Sequence, residues 1–356
     1  MTAAIAAPAR RPWLFSRTTD LAVFGGTALV ALALALAWPH RDAPTWTWIG
    51  GVLLVDVAHV WSTTFVVYFD RAELRRRPLL YTVTPIAAFA IGLALYLAFG
   101  ELGFWRAIAY LAVFHFIRQQ YGWVMMYRAR NGERDRAGRW IDGAMIYAAT
   151  LYPLVWWHAH LPRQFEWMKA GDFVGGLPAI AATIAGGCYV AIAALYLGAA
   201  IARARRGAAT SWGKHLIVAT TAACWYVGIV ATDNDYAFTL TNVFIHGVPY
   251  MVLVFVYARA AGREPTSARS LSTRLLAGRR GLAVFVATLW AIAYVEELAW
   301  DRGVWHDHAW LFGDGPQLGA AVAVVSAILA VPQLTHYALD AVLWRRASNP
   351  RVARLL

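Results

Sequence analysis

Residues 319–346 read GAAVAVVSAILAVPQLTHYALDAVLWRR. The first half carries no charge, and the stretch ends on Arg345 and Arg346. An apolar run of roughly 20 residues is enough to cross a bilayer as a helix. This one has a histidine, His336, in its middle. Gln333 lies three residues before it and Asp340 four after, so all three share one helix face, with Pro332 just ahead of them. Imidazole is costly to bury in hydrocarbon, which makes His336 a candidate for function.

Nine further segments read the same way. Spans are expected near 19–38, 46–69, 79–99, 102–127, 140–158, 177–202, 213–231, 236–258, 281–300 and 317–345. The composition agrees, with 356 residues that are 60% hydrophobic and only 15% charged. That describes a polytopic membrane protein rather than a soluble domain. The expected fold is therefore all-α, a single transmembrane domain over 19–345 with a short segment, 1–18, before it and a tail, 346–356, after it.

The net charge of +12 does not point to nucleic acid, because the arginines fall in short clusters between apolar segments. The loops alternate. One set holds Arg10 and Arg11, Arg71 with Arg75 to Arg77, the run from Arg128 to Arg139, Arg203 to Arg206, the stretch from Arg259 to Arg280, and Arg345 and Arg346. The other is short or acidic, with His40 to Asp42, Glu101, Asp172, Asp233 and Asp235, and the stretch from Asp301 to Asp314. The positive-inside rule places the basic loops and both termini in the cytoplasm. A multi-pass protein of a bacterial cytoplasmic membrane is the expected setting. Cys188 and Cys224 both lie in apolar segments, so no disulfide framework is expected.

With ten spans, the even-numbered ones run toward the basic face. Each of four carries a histidine: His59, His115, His246 and His336. The first charged residue toward that face (Asp70, Arg128, Arg259, Arg345) lies 11, 13, 13 and 9 residues further on. At ~1.5 Å per residue these depths agree to roughly 6 Å. Four histidines in one layer look like the ligand set of a metal centre.

Each has polar company on its own face. Asp56, His59 and Thr63 form one stripe. His115 leads to Arg118, Gln119 and Gly122. Asn242, His246 and Tyr250 line up, interrupted by Gly247 and Pro249. Such neighbours suit a metal site, where a ligating imidazole gives its other N–H to a carboxylate or amide. Asp56 and Asp340 are expected as ligands or as such acceptors. Arg118, Gln119 and Tyr250 are expected to face a substrate or oxygen. The alternative is that the histidines only cross-link helices, with Asp56, Asp340 and Arg118 as a buried charge network. His158/His160 and His306/His308 sit in outer loops among tryptophans and read as interfacial. Glu296 and Glu297 read as boundary residues at the outer end of the ninth span.

Nitrogen-rich ligation with carboxylates suits iron, zinc or copper, and the lack of clustered Cys and Met argues against thiolate or Cu(I). Iron with open positions would activate dioxygen, whereas zinc would make hydroxide for hydrolysis. Haem is a further alternative, though no Cys-x-x-Cys-His attachment motif is present. The leading expectation is a membrane-embedded oxidoreductase using iron and O2 on a lipid-soluble substrate. A zinc-dependent lipid hydrolase, a haem-binding electron carrier and a transporter stand beside it.

The clustered HxxxH and HxxHH boxes of membrane desaturases are missing. His59, His115 about two helices later, and the segment from His246 through Gly247, Val248 and Pro249 to Tyr250 instead resemble the Brp/Blh group of membrane β-carotene-cleaving dioxygenases. That resemblance implies a polytopic fold and a single iron held by histidines dispersed over several helices, with a carotenoid as substrate. Tyr250 stands where that pattern has a second histidine, so His336, with Asp340 nearby, would supply the fourth ligand.

Overall fold

A computed structural model describes residues 12–37, 43–165, 167–347 and 349–355. Arg10, Arg11 and the loop from His40 to Asp42 lie outside the described residues, as does most of the expected N-terminal segment. The described chain is all helical, with no strand.

Eight helices are long and apolar enough to cross a membrane. In the numbering used below they are α1 (Arg17–Ala37), α2 (Thr45–Val66), the continuous Pro78–Arg130 stretch, α6 (Ala179–Arg205), α7 (Trp212–Ala231), α8 (Asp235–Ala261), α9 (Gly281–Trp305) and α10 (Gly319–Leu343). The Pro78–Arg130 stretch is not straight. Gly100 has φ +71° and ψ −176°, a conformation outside any helix. Tyr96 and Phe104 then meet with ring centroids 5.3 Å apart. Gly92 packs against Phe104, twelve residues that a straight helix would separate by about 18 Å. The chain doubles back at Gly100, because glycine alone tolerates that backbone. The two arms are α3 (78–99) and α4 (101–130).

The expected fifth span is helical as α5 (Arg136–His160), but it is not among the eight. Its first turns hold Arg136, Arg139 and Asp142. It packs along α6, with Tyr152 stacked on Tyr189 at 5.4 Å. A short helix, α11 (Pro350–Leu355), closes the chain.

Burial sorts these helices. In α8, 67% of the most apolar stretch is buried, against 6% in α6. α8 is thus central, and α6 presents nearly all of its apolar surface outward, as lipid contact requires. The helices α2, α8, α4 and α10 form a ring, each packed against the next.

Stretches of π-helix interrupt several spans: Leu21–Gly26, Trp48–Val57, Tyr226–Ala231, Thr239–Val243 and Asp301–Trp305. Two of them, 48–57 and 239–243, end just before His59 and His246. Winding with i→i+5 bonds concentrates at functional sites and turns the residues that follow relative to an ordinary helix.

Candidate metal centre

The ring of four helices places one histidine from each at its centre. His59, His115, His246 and His336 are all buried, the most accessible being His115 at 5%. One donor atom from each lies within 4.8 Å of every other. Nε2 of His246 is 2.9 Å from Nε2 of His59, and Nε2 of His336 is 3.2 Å from Nε2 of His115. The rings alternate in orientation around the cycle. His59 meets His246 at 85° and His336 at 85°, while His115 meets His246 at 84° and His336 at 69°.

These nitrogens fit a metal. Imidazoles bound at 2.0–2.1 Å in a tetrahedron stand about 3.3 Å apart along each edge. The outward nitrogens fit as well. His336 Nδ1 is 2.8 Å from Thr63 Oγ1, and His59 Nδ1 is 3.5 Å from Asp56 Oδ1. A proton on His336 Nδ1, given to Thr63, leaves its Nε2 lone pair aimed inward, the tautomer a ligating histidine needs.

Packing fixes the rings. Phe116 stacks on His246 with centroids 3.7 Å apart, and Tyr337 stacks on His115 at 4.5 Å. Tyr337 is held in turn by Gln333, whose Nε2 donates to its hydroxyl at 2.7 Å. Two backbone features bring α8 to the right place. A Cβ at Gly247 would stand 2.8 Å from Val55 Cγ1 and 3.3 Å from the Val55 carbonyl oxygen, so only glycine lets α8 lie this close to α2. Pro249 has no N–H to give the Ile245 carbonyl four residues back. Gln120 Nε2 donates to that carbonyl instead, at 3.4 Å, while Gln120 Oε1 accepts from Thr221 at 3.0 Å. Gln120 thereby ties α4 to α8 and α7 and sets the rotation that aims His115 inward. A glutamine in the middle of a span was the available signal for it.

The other expected site residues divide. Asp56 and Asp340 are outside the set whose donor atoms close on one point. Asp56 stands behind His59. Asp340 accepts from Trp344 Nε1 and lies beside Tyr250. The Tyr250 hydroxyl is 3.2 Å from Thr63 Oγ1, so Tyr250 belongs to the layer that supports His336. Gln119 is buried, and neither its Oε1 nor its Nε2 has a partner. Arg118 departs from expectation: it is exposed, donates to the Tyr147 hydroxyl and lies 4.9 Å from the centroid of Tyr121. The i+3 position falls on the flank of the face bearing His115, and here that flank turns outward. Asn242 also departs. Its Nδ2 donates to the Phe238 carbonyl at 3.3 Å and to Thr241 at 3.0 Å, within its own π-wound turn.

Glu296 sits deeper than its place in the sequence indicated. It accepts from Nε1 of Trp61, two residues beyond His59, and from Trp300 at 3.3 Å. The reason is that α9 continues through a π-wound turn to Trp305. The outer histidines have local partners. His158 meets the Tyr110 hydroxyl at 2.8 Å, His160 stacks on Trp156 at 4.0 Å, and His308 stacks on Trp48 at 3.8 Å.

Four buried histidines that could hold a metal ion, set among helices of membrane-spanning character, are thus the chain's candidate functional site. Comparison with known protein families, with curated proteins and with solved structures finds no match to this chain.

Proposed function

We propose that the protein is a membrane-embedded, metal-dependent oxidoreductase that uses iron and dioxygen on a lipid-soluble substrate. The convergence of four histidine Nε2 atoms at the centre of an apolar helix ring carries this reading. An all-nitrogen set suits a redox-active first-row metal. Four nitrogens gathered this closely leave no room for a porphyrin between them, which argues against haem. Iron, when bound, would supply one-electron and dioxygen chemistry. Thr63 holds the outer nitrogen of His336, and the Asp56 carboxylate lies 3.5 Å from that of His59. Phe116 and Tyr337 hold the ring planes of His246 and His115. Gln119, one turn from His115 with an unpartnered amide, offers hydrogen bonds to the polar end of a substrate. The exposed apolar faces of the surrounding helices suit a substrate that partitions into lipid. The resemblance to the Brp/Blh group extends the proposal to a polyene such as a carotenoid.

The proposed topology has ten spans, counting α3 and α4 separately and adding α5. The basic loops and both termini lie in the cytoplasm of a bacterial cell, as the charge alternation supports. At about 1.5 Å per residue, α5 has the length to cross.

Metal analysis of purified protein tests the centre. About one iron per chain is expected in the wild type, with loss in His115→Ala and His336→Ala. A metal-free wild type, or unchanged metal in both variants, would overturn the reading. Zinc with oxygen-independent activity would leave the centre standing and remove the oxidoreductase.

A further inference from the structure

Four carboxylates lie on the side of the histidine centre away from the basic loops, on α2 and α9. Asp56 is one turn from His59, and its side chain is 25% exposed. Glu296 is held by Trp61 and Trp300. Glu297 is 8% exposed and makes no hydrogen bond to another described residue. Asp301, one turn further out, is 2% exposed. Its Oδ1 accepts from the Asp307 and His308 backbone N–H groups at 3.0 and 2.7 Å, and its Oδ2 has no partner. Glu297 is close enough to Glu296, Asp56 and Asp301 for their charges to act on it. α9 packs along both halves of α2, and Trp290 Nε1 donates to the Leu54 carbonyl at 3.0 Å, so the four face one seam.

Among the described residues no lysine or arginine pairs with any of the four. Their only ion-pair neighbours are His59, 3.5 Å from Asp56, and His308, 3.3 Å from Asp301. A buried carboxylate without a counter-charge is costly unless it takes up a proton or a cation. The Glu297 carboxyl and the second oxygen of Asp301, Oδ2, therefore remain without a partner among the described residues and can take a cation. Yet the four acids do not close on one point, as the histidines do. Asp301 and Glu297 lie one helical turn apart, about 6 Å along α9, with Glu296 next to Glu297 in the chain and Asp56 on α2.

We propose that Asp301, Glu297, Glu296 and Asp56 form an entry route for a divalent metal cation, leading from the acidic-loop face to the four histidines. The proposal rests on the metal-centre reading above. Weak sites in series let an ion enter and leave each step, whereas a closed chelate would trap it.

Cobalt(II) uptake by the full-length protein, stripped with a chelator and followed by its visible absorption in a rapid-mixing experiment, tests this. Glu297→Gln and Asp301→Asn should load at least about tenfold more slowly than wild type, reaching full occupancy only on long incubation. Glu297→Asp should recover most of the rate, and Glu101→Gln, which removes an acid elsewhere on the same face, should load as wild type does. Wild-type rates in both Glu297→Gln and Asp301→Asn would overturn the route while leaving the histidine centre intact, and would leave proton delivery as the use of these acids. A fast approach to lowered final occupancy would overturn it too, because the acids would then hold the metal rather than feed it. If the wild type takes up no cobalt, the centre itself falls and the route with it.

Discussion

Two buried charged regions of this molecule are built on opposite principles. At the basic face, Arg128 and Lys214, each 3% exposed, meet Glu133 and Asp142. Lys214 Nζ is 2.7 Å from Glu133 and 2.9 Å from Asp142, and Arg128 donates to both acids. Arg203 adds contacts to Glu133 at 3.5 Å and to Asp135 at 3.1 Å. Three cations meet three anions. Slight burial works to raise the Asp135 carboxyl above its ordinary range. The hydrogen bonds from Arg203 and the Gly138 N–H, with the charges of Arg128 and Arg203, outweigh that and hold it below. In the membrane interior the balance is absent. Four imidazoles and the acids Asp56, Glu296, Glu297 and Asp301 gather electron pairs with no lysine or arginine among them. The first region is complete in itself and joins α4, α5, α6 and α7. The second holds four buried histidines that could bind a metal ion.

The sharpest way to break this comparison is to unbalance the closed network. Lys214→Met leaves Glu133 and Asp142 short of a cation and should destabilise the protein by about 3–5 kcal/mol. Denaturant unfolding would measure it, and metal content per folded chain should stay at the wild-type value. A loss below about 1 kcal/mol would mean that Arg128 alone balances both acids. A smaller effect is expected behind the histidines. Asp56→Asn keeps the shape but removes the carboxylate charge 3.5 Å from His59 Nδ1, and should lower metal affinity about 10–100-fold in competition with a chelator. Unchanged affinity would detach Asp56 from the centre. The smallest effect belongs to Arg118→Gln. Its side chain is turned outward to Tyr121 and Tyr147, so metal affinity should change by less than about twofold, within the ±0.5 kcal/mol usual for exposed positions. A larger loss would show that Arg118 swings inward when metal binds.

Much of this was legible in the sequence. Apolar stretches and loop charge report the spans because both follow from the cost of polar groups in hydrocarbon. Counting from each histidine to the next charge placed all four at one depth, because helical rise is constant. Facing was harder to read. The spacing grouped Arg118 and Asn242 with the histidines, but a flank position can turn either way. A π-wound turn leaves no residue signature to show that the register has shifted. Glu296 and Glu297 were misplaced for a related reason: the end of α9 was read at Trp300, and the helix runs on to Trp305. Gln120 and Tyr337 escaped notice because their value lies in partners on other helices, Ile245 and His115, that no single stretch reveals.

Gly247 has one more consequence. Because a Cβ at Gly247 would meet Val55 Cγ1 and crowd the Val55 carbonyl, the close approach of α8 to α2 beside His59 and His246 depends on glycine. The pair works as a fixed gauge. It suits ions that bind nitrogen at about 2.0–2.1 Å and is too narrow for calcium, which needs oxygen ligands at about 2.3–2.6 Å. Alanine at this position would push α8 away from α2 and widen the gap between them.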